Sequence, residues 1–302
     1  MSSVSVRVPG STSNCGAGFD TLGLALQIYN TVTLERVEAS GAHPVTPADG
    51  RAADLVTEVM QTFAARTGRA VPGFTYQITG DVPPARGLGS SVTVLAGVLA
   101  GLNHWAGEPM SREDLVSALT AIEGHPDNAA AGVLGGFCVA RCGETPAEYA
   151  GTVRIEIPSE LCFVVVSPVT EIATKASRGV LPTRISHLDA VRSVNSAACL
   201  TAALATGEFE KLRGAVGDFL HEPYRLPGIT GAREAIDAGV TAGAYTGWLS
   251  GSGSSVLGLA PTGNAEAVSA AMSAAFAAVG VESDARLLIA DNAGLVVRAG
   301  AL

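Results

Sequence analysis

No stretch of the 302-residue chain is apolar for long enough to span a bilayer, and the N-terminus lacks a basic start followed by an apolar core. Neither a membrane partner nor a leader is expected, and a cytoplasmic location is. Positive charge is scarce too: 19 Lys and Arg against 28 Asp and Glu leave a net charge of −9. Nucleic acid, which needs a positive field, is therefore not an expected partner. Any anionic ligand must be held by local groups: backbone amides, a metal, a few arginines. Cysteine is sparse. The five (Cys15, Cys138, Cys142, Cys162, Cys199) are odd in number and include no CxxC pair. Cys138 and Cys142 stand four apart, but no His or second Cys pair completes a zinc site, so reduced intracellular thiols are expected. Internal repeats and low-complexity tracts are missing as well. Charged residues make up 16% against 47% hydrophobic, with mean hydropathy +0.33. That describes a folded globular chain with length for one large or two modest domains.

What is present centres on Pro83-Pro84-Ala85-Arg86-Gly87-Leu88-Gly89-Ser90-Ser91, which runs into the apolar Val92–Leu102. Gly87 and Gly89 permit backbone angles that side chains forbid, so successive N–H groups can turn toward one anion. Ser90 or Ser91 is a natural helix cap, and the free first-turn amides with the macrodipole favour negative charge there. The segment is a candidate phosphate cradle. It is not a P-loop, because Ser90 stands where Lys is needed, and its glycine spacing is not the dinucleotide fingerprint. The plain alternative is a turn whose glycines serve only the backbone.

Along the chain, Val4, Val6 and Val8 alternate as a strand, followed by a long polar, glycine-rich loop from Pro9 to Asp20 and a second strand over Thr31–Val37. Asn14 and Asp20 are close enough in that loop to converge on a small hydroxyl compound, unless both merely cap turns. The spacing predicts an amphipathic helix over Ala52–Thr67, a half-buried strand over Phe74–Thr79, and an almost wholly buried helix after the cradle. Ser111-Arg112-Glu113-Asp114 starts a helix that ends in Glu123-Gly124-His125-Pro126-Asp127-Asn128, where two carboxylates, an imidazole and an amide stand together. From Val153 the reading is alternating Val153, Ile155 and Ile157, then an apolar strand Leu161–Val166. Helical regions over His187–Ala205 and Glu208–Phe219 follow, then a glycine–serine hairpin at Ser250–Ser255. After it come an amphipathic helix over Asn264–Val279 and closing strands at Arg286–Ala290 and Gly294–Arg298. The order β, α, β, β, α, β predicts an open antiparallel sheet backed by helices. Arg178 beyond a strand end and Arg225 beyond a helix are surface charges by default. Together they match the fork geometry of a carboxylate.

These segments, in this order, resemble the GHMP small-molecule kinase superfamily, and within it the homoserine kinase family. The resemblance rests on Pro9–Asp20, Pro84–Ser91, Glu123–Asn128 and Ser250–Ser255, with Thr174–Arg178 and His221–Arg225 separating homoserine kinases from their relatives. It implies an α+β, two-domain GHMP kinase fold. Residues 1–152 would form an N-terminal ATP-binding, ribosomal protein S5 domain 2-like domain with a left-handed βαβ crossover, and residues 153–302 a C-terminal ferredoxin-like domain. It implies ATP bound by Pro84, Ala85, Arg86, Gly87, Leu88, Gly89, Ser90, Ser91, Val92, Thr93 and Val94, and Mg²⁺ held by Ser91 and Glu123. It further implies homoserine as acceptor. The carboxylate would pair with Arg178 and Arg225, the amine would lie near His125, and Thr174 would add a polar contact. The hydroxyl would meet Asp20, Asn14 and Asn128, with Asp20 and Asn128 as the catalytic, hydroxyl-orienting pair and no obvious dedicated base. A homodimer serving threonine biosynthesis is implied too. The alternatives are a GHMP kinase for another hydroxy or amino acid such as threonine, and a non-catalytic sensor on the same fold. Three positions depart from the usual pattern: Ala17 in the first motif, Val92-Thr93 after the cradle, and Ser254 in the third motif.

Overall fold

The computed structural model describes residues 2–46, 50–169, 174–213 and 217–300, excepting the side chains of residues 50, 51 and 174–176. The valine alternation forms β1 (Ser3–Ser13), which is longer than predicted. Pairing with β2 (Leu22–Arg36) resumes after a bulge between Pro9 and Gly10, so Ser11, Thr12 and Ser13 belong to the strand and not to the loop. Their hydroxyls are buried and paired across the molecule, which the polar sequence alone does not reveal. After β3 (Ala42–Pro44), helix α1 (Gly50–Thr67) leads to β4 (Phe74–Gly80), near the predicted boundaries. Helix α2 (Ser90–Trp105) buries Val92 through Asn103 without a break. Gly97 and Gly101 allow that, since a Cβ there would meet Val32 at 2.4 Å and Leu34 at 2.6 Å.

Ser111 and Asp114 close a reciprocal capping box on α3 (Arg112–Glu123), and Gly124 ends it in the left-handed conformation. Short α4 (Asp127–Leu134) and the hairpin β5 (Phe137–Cys142) and β6 (Tyr149–Ile155) follow. Strand β6 spans the expected boundary after residue 152 and pairs with β5 in the first sheet.

Strand β7 (Leu161–Pro168) is buried on both faces, which explains its unbroken apolar run. Leu161, Phe163 and Val165 face a core shared with Leu22, Leu24, Leu26 and Ile28 of β2. Cys162, Val164 and Val166 face α8 (Ala232–Thr241) and α9 (Ala265–Ala278). With β8 (Thr246–Leu249), β9 (Val256–Pro261) and β10 (Ser283–Leu288) it makes a four-stranded antiparallel sheet ordered β10-β7-β9-β8. That order and the two helices give a β, α, β, β, α, β arrangement as expected from the sequence, but α8 was not among the predicted helices. Between β7 and α8 lie α5 (Thr174–Gly179), α6 (His187–Thr206) and the single-turn α7 (Glu222–Arg225).

Two expectations are corrected here. Among the described residues of the helix predicted over Glu208–Phe219, the structure shows a 3-10 turn at Phe209–Leu212 and no helix at 217–219; residues 214–216 lie outside the described residues. The last predicted strand, β11 (Val296–Ala299), leaves the second sheet and pairs with β1, at the edge of the first, seven-stranded sheet. No helix among the described residues is long and apolar enough to cross a membrane.

Candidate active site

The glycine loop enters α2 at Gly89, whose φ of +66° makes it the N-cap with no side-chain cap bond, so neither Ser90 nor Ser91 caps as expected. The first intrahelical bond runs from Thr93 N–H to Gly89 O, which leaves the N–H groups of Ser90, Ser91 and Val92 to seek an acceptor outside the helix. The loop is held from both halves of the chain. Ser250 Oγ donates to Gly87 O at 2.7 Å, Ser255 N–H to Arg86 O at 3.3 Å, and Ser11 N–H to Leu88 O at 3.1 Å. The serine hairpin therefore acts as a brace for the cradle. Residues Ala85 to Ser91 line one cavity, but Pro84 does not. Val92, Thr93 and Val94 do not either: all three are buried, and Thr93 Oγ1 donates to Ser90 O and accepts from Asn30 Nδ2. Their side chains face the core and not the cavity where the nucleotide was expected.

The opposite wall is the Asn14–Asp20 loop, where Asn14, Cys15 and Asp20 all have positive φ. Such backbone persists only when its surroundings enforce it. Here Asn14 Oδ1 accepts the Asp20 N–H at 3.0 Å and its Nδ2 donates to Gly251 O at 3.0 Å. Asn128 Oδ1 accepts from Ser11 Oγ at 2.8 Å, and its Nδ2 donates to Ser13 Oγ at 3.0 Å. Both amides thus line the cavity while their hydrogen bonds go to the frame around it. Direct hydroxyl contacts were expected of them; in this structure they hold the wall in shape.

Charge is arranged in pairs. His125 Nδ1–H donates to Asp127 Oδ1 at 2.5 Å. Burial works against the charged ring, but Asp127's charge and hydrogen bond, with Asp20 beyond, outweigh it and raise the pKa to about 9. Burial likewise opposes charge on Asp127, yet His125, the Asn128 N–H and Arg178 hold its carboxyl below the usual range. The pair is an imidazolium and a carboxylate at neutral pH. His125 lines the cavity where the amine contact was expected, with Nδ1 already committed to Asp127. Arg178 lies in the same cavity, with Nη2 and Nη1 donating to the two Asp20 oxygens at 2.7 and 3.1 Å. Arg225 is different. It is 6% exposed, its Nε donates to Ser177 O and its Nη1 to Gly251 O, and no carboxylate among the described residues lies within ion-pair reach. Burial and the nearby Arg178 lower its pKa to about 10, so it keeps its charge. Both guanidiniums lie over the Phe19 ring, at 5.5 and 5.2 Å. The Thr174 side chain lies outside the described residues.

Ser91 and Glu123 line the cavity beside the cradle and supply the hydroxyl and carboxylate oxygens that suit Mg²⁺. Asp20, His125 and Asp127 also present ligand atoms within 4.8 Å of one another. Arg178 bonds to Asp20 and His125 to Asp127, so that trio forms an ion-pair network in this structure.

Residues 54–136 match the family described as GHMP kinases N terminal domain, and residues 200–278 match GHMP kinases C terminal. The chain is 38% identical over 299 residues to the homoserine kinase of Moorella thermoacetica, covering 97% of this chain and 99% of that one. It is 39% identical to the homoserine kinase of Microchaete diplosiphon, with 97% of each covered. The chain belongs to the homoserine kinase family. The crystal structure of homoserine kinase from Cytophaga hutchinsonii superposes with a TM-score of 0.88 at 26% identity, covering 99% of this chain and 98% of that one. The two-domain GHMP kinase fold inferred from the sequence is thus the fold of the family.

Several residues of the site escaped sequence reasoning. Phe19 is the plate under both guanidiniums, Ser13 and Gly251 tie the walls together, and Asp127 charges His125. The last had a visible signal: His125 and Asp127 are two residues apart across a proline that forces the turn.

Proposed function

We propose that the chain transfers the terminal phosphoryl group of ATP to the side-chain hydroxyl of L-homoserine, giving O-phospho-L-homoserine. The observation that carries this is Arg225: a buried guanidinium with no carboxylate partner among the described residues, in one cavity with the entrance of α2. One end of the cavity suits a polyphosphate, through the amides of Ser90, Ser91 and Val92 and the macrodipole. The other suits a small carboxylate, for which Arg225 is ready and Arg178 becomes available when it leaves Asp20.

In this reading Asp20 and Asn128 orient the hydroxyl, Asp20 through its carboxylate and Asn128 through the wall it fixes. Asn14 holds Asp20 by its backbone N–H. No dedicated base is obvious: His125 carries its proton and Asp127 is paired with it. Asp20 is paired with Arg178 until the acceptor carboxylate draws that guanidinium away, and of the three it is then the one free to take the hydroxyl proton. Phosphoryl transfer through a loose transition state depends instead on in-line placement and neutralised charge. The His125 imidazolium adds positive charge beside the transferring group. Mg²⁺ bound at Ser91 and Glu123 would neutralise phosphate oxygens. A homodimer in the cytoplasm serving threonine biosynthesis, with residues 1–152 and 153–302 as the two domains, completes the reading by family resemblance.

The test is an acceptor screen read by coupled ADP release in the presence of Mg²⁺. Homoserine should exceed threonine and mevalonate in kcat/KM by at least tenfold. With the carboxylate held by the arginine, the hydroxyl of threonine stands one carbon nearer to it and the primary hydroxyl of mevalonate one carbon farther, so that in this reading only homoserine's meets the phosphoryl group in line. Equal rates with all three, or no ATP consumption, would remove homoserine as the acceptor.

A further inference from the structure

His221 is wholly buried between the two walls of the cavity, at the entrance to α7. Its Nε2 lies 2.9 Å from Gly16 O. A carbonyl only accepts, so Nε2 carries the proton and Nδ1 is left as an acceptor. Nδ1 faces Arg225 Nη1 at 3.4 Å. The ring stacks on Phe19 at 5.4 Å between centroids, and Phe19 lies under Arg225 and Arg178. Its backbone N–H is fixed by Asp218 Oδ2 at 2.7 Å. One neutral ring thus bonds the loop of the first half and the guanidinium of the second.

We propose that His221 is a positioning residue that sets Arg225 at its working distance from the Asn14–Asp20 loop and thereby fixes acceptor affinity. The inference rests on the reading that Arg225 binds the acceptor carboxylate. Protonating the ring would turn Nδ1 into a donor facing another donor and set two cations together. The groups facing the ring are Asp218, whose Oδ2 is 3.6 Å from Nε2, with Arg225 and Asp20 beyond. Burial lowers its pKa, with Arg225 acting the same way and Asp218, the Gly16 carbonyl and Asp20 opposing.

His221→Phe keeps the plate against Phe19 and removes both hydrogen bonds, while His221→Asn restores an acceptor toward Arg225. With homoserine as acceptor, His221→Phe is expected to raise the acceptor KM about tenfold or more, with the KM for ATP unchanged. His221→Asn should recover most of that loss. In an Arg225→Lys background, His221→Phe should add less than about twofold, because the group it positions is already altered. A full additive penalty there, or an equal loss in the KM for ATP, overturns the proposal. Should His221→Phe fail to fold, the Asn variant and the wild-type spectrum decide. Nitrogen-15 NMR of labelled histidine should show this ring neutral and Nε2-protonated at pH 7, and still neutral at pH 6, where an ordinary histidine is charged. A charged ring, or the other tautomer, at pH 7 refutes it. A wild type inert toward homoserine sinks the acceptor assignment separately, and the tautomer then decides alone whether the ring joins Gly16 to Arg225.

Discussion

Replacing Gly87 by Ala puts the clamp on the glycine loop to a quantitative test. Gly87 has φ +74°, a conformation that costs an L-residue roughly 1–2 kcal/mol. A Cβ there would stand 2.0 Å from Ser250 O and 3.1 Å from Gly253 N, both backbone atoms. Ordinary contact begins at 3.4 Å, so the loop must retreat by about 1.4 Å. That breaks the bonds from Ser250 Oγ to Gly87 O and from Ser255 N–H to Arg86 O, each contributing about 1 kcal/mol. The sum is roughly 3–4 kcal/mol, and at about 2–3 °C per kcal/mol the melting temperature should fall by around 10 °C. A displacement of this size in groups that bind phosphate should also lower kcat/KM for ATP about a hundredfold. Differential scanning fluorimetry and the ADP-coupled assay read both quantities. Gly263→Ala is the control, since no atom lies near a Cβ there. If Gly87→Ala melts within about 2 °C of wild type and keeps its KM for ATP, the cradle is not braced as argued.

Arg225→Lys removes the fork while keeping the charge; the acceptor KM should rise about 10- to 100-fold with little change for ATP, and an unchanged acceptor KM takes Arg225 out of the site. His125 has its folded pKa raised from 6.5 to about 9, so its pairing stabilises fully below pH 6.5 and is lost as pH rises through 9. In urea titrations the advantage of wild type over His125→Gln should narrow by up to roughly 3 kcal/mol between pH 6.5 and 9.5, whereas a constant difference means a neutral ring. Glu222 is almost wholly buried, and burial raises its pKa from 4.5 to about 7. Its stability is therefore greatest when protonated and declines as pH rises from 4.5 through 7. Glu222→Gln, which keeps an acceptor for the Leu249 N–H, should melt higher than wild type at pH 8 and equally at pH 4.5. A lower melting point at pH 8 would mean that Arg233, 3.7 Å away, stabilises the carboxylate by more than burial costs.

Local signals in the sequence were enough where chemistry and neighbours lie close along the chain. The glycine loop, the Ser111 capping box and the doubly buried run at Leu161–Val166 each carry their conformation in a few consecutive residues. The β, α, β, β, α, β order of the second half was legible in outline, although α8, the helix that backs its sheet beside α9, was not read from the sequence; the family resemblance placed the clusters at one cavity. What stayed hidden is tertiary. Asp20 and Arg178 are 158 residues apart, and nothing in either segment says that they pair when the acceptor is absent. The hydroxyls of Ser11, Thr12 and Ser13 made a strand look like a loop, because their partners lie beyond residue 125. The family resemblance implied nucleotide contacts at Val92, Thr93 and Val94, whose side chains the helical turn aims into the core.

The strand at Val296–Ala299 has a consequence for biosynthesis. It covers Val4 to Arg7, residues the ribosome makes nearly the whole message earlier. During that interval the outer backbone of the first strand is bare, with N–H and C=O groups free to recruit another nascent chain. A first half that folds in order of synthesis therefore does so with this border unpaired, since its last neighbour comes from the second half. Shielding by a chaperone, or a pause late in translation, would matter more here than in a protein whose halves are separately closed.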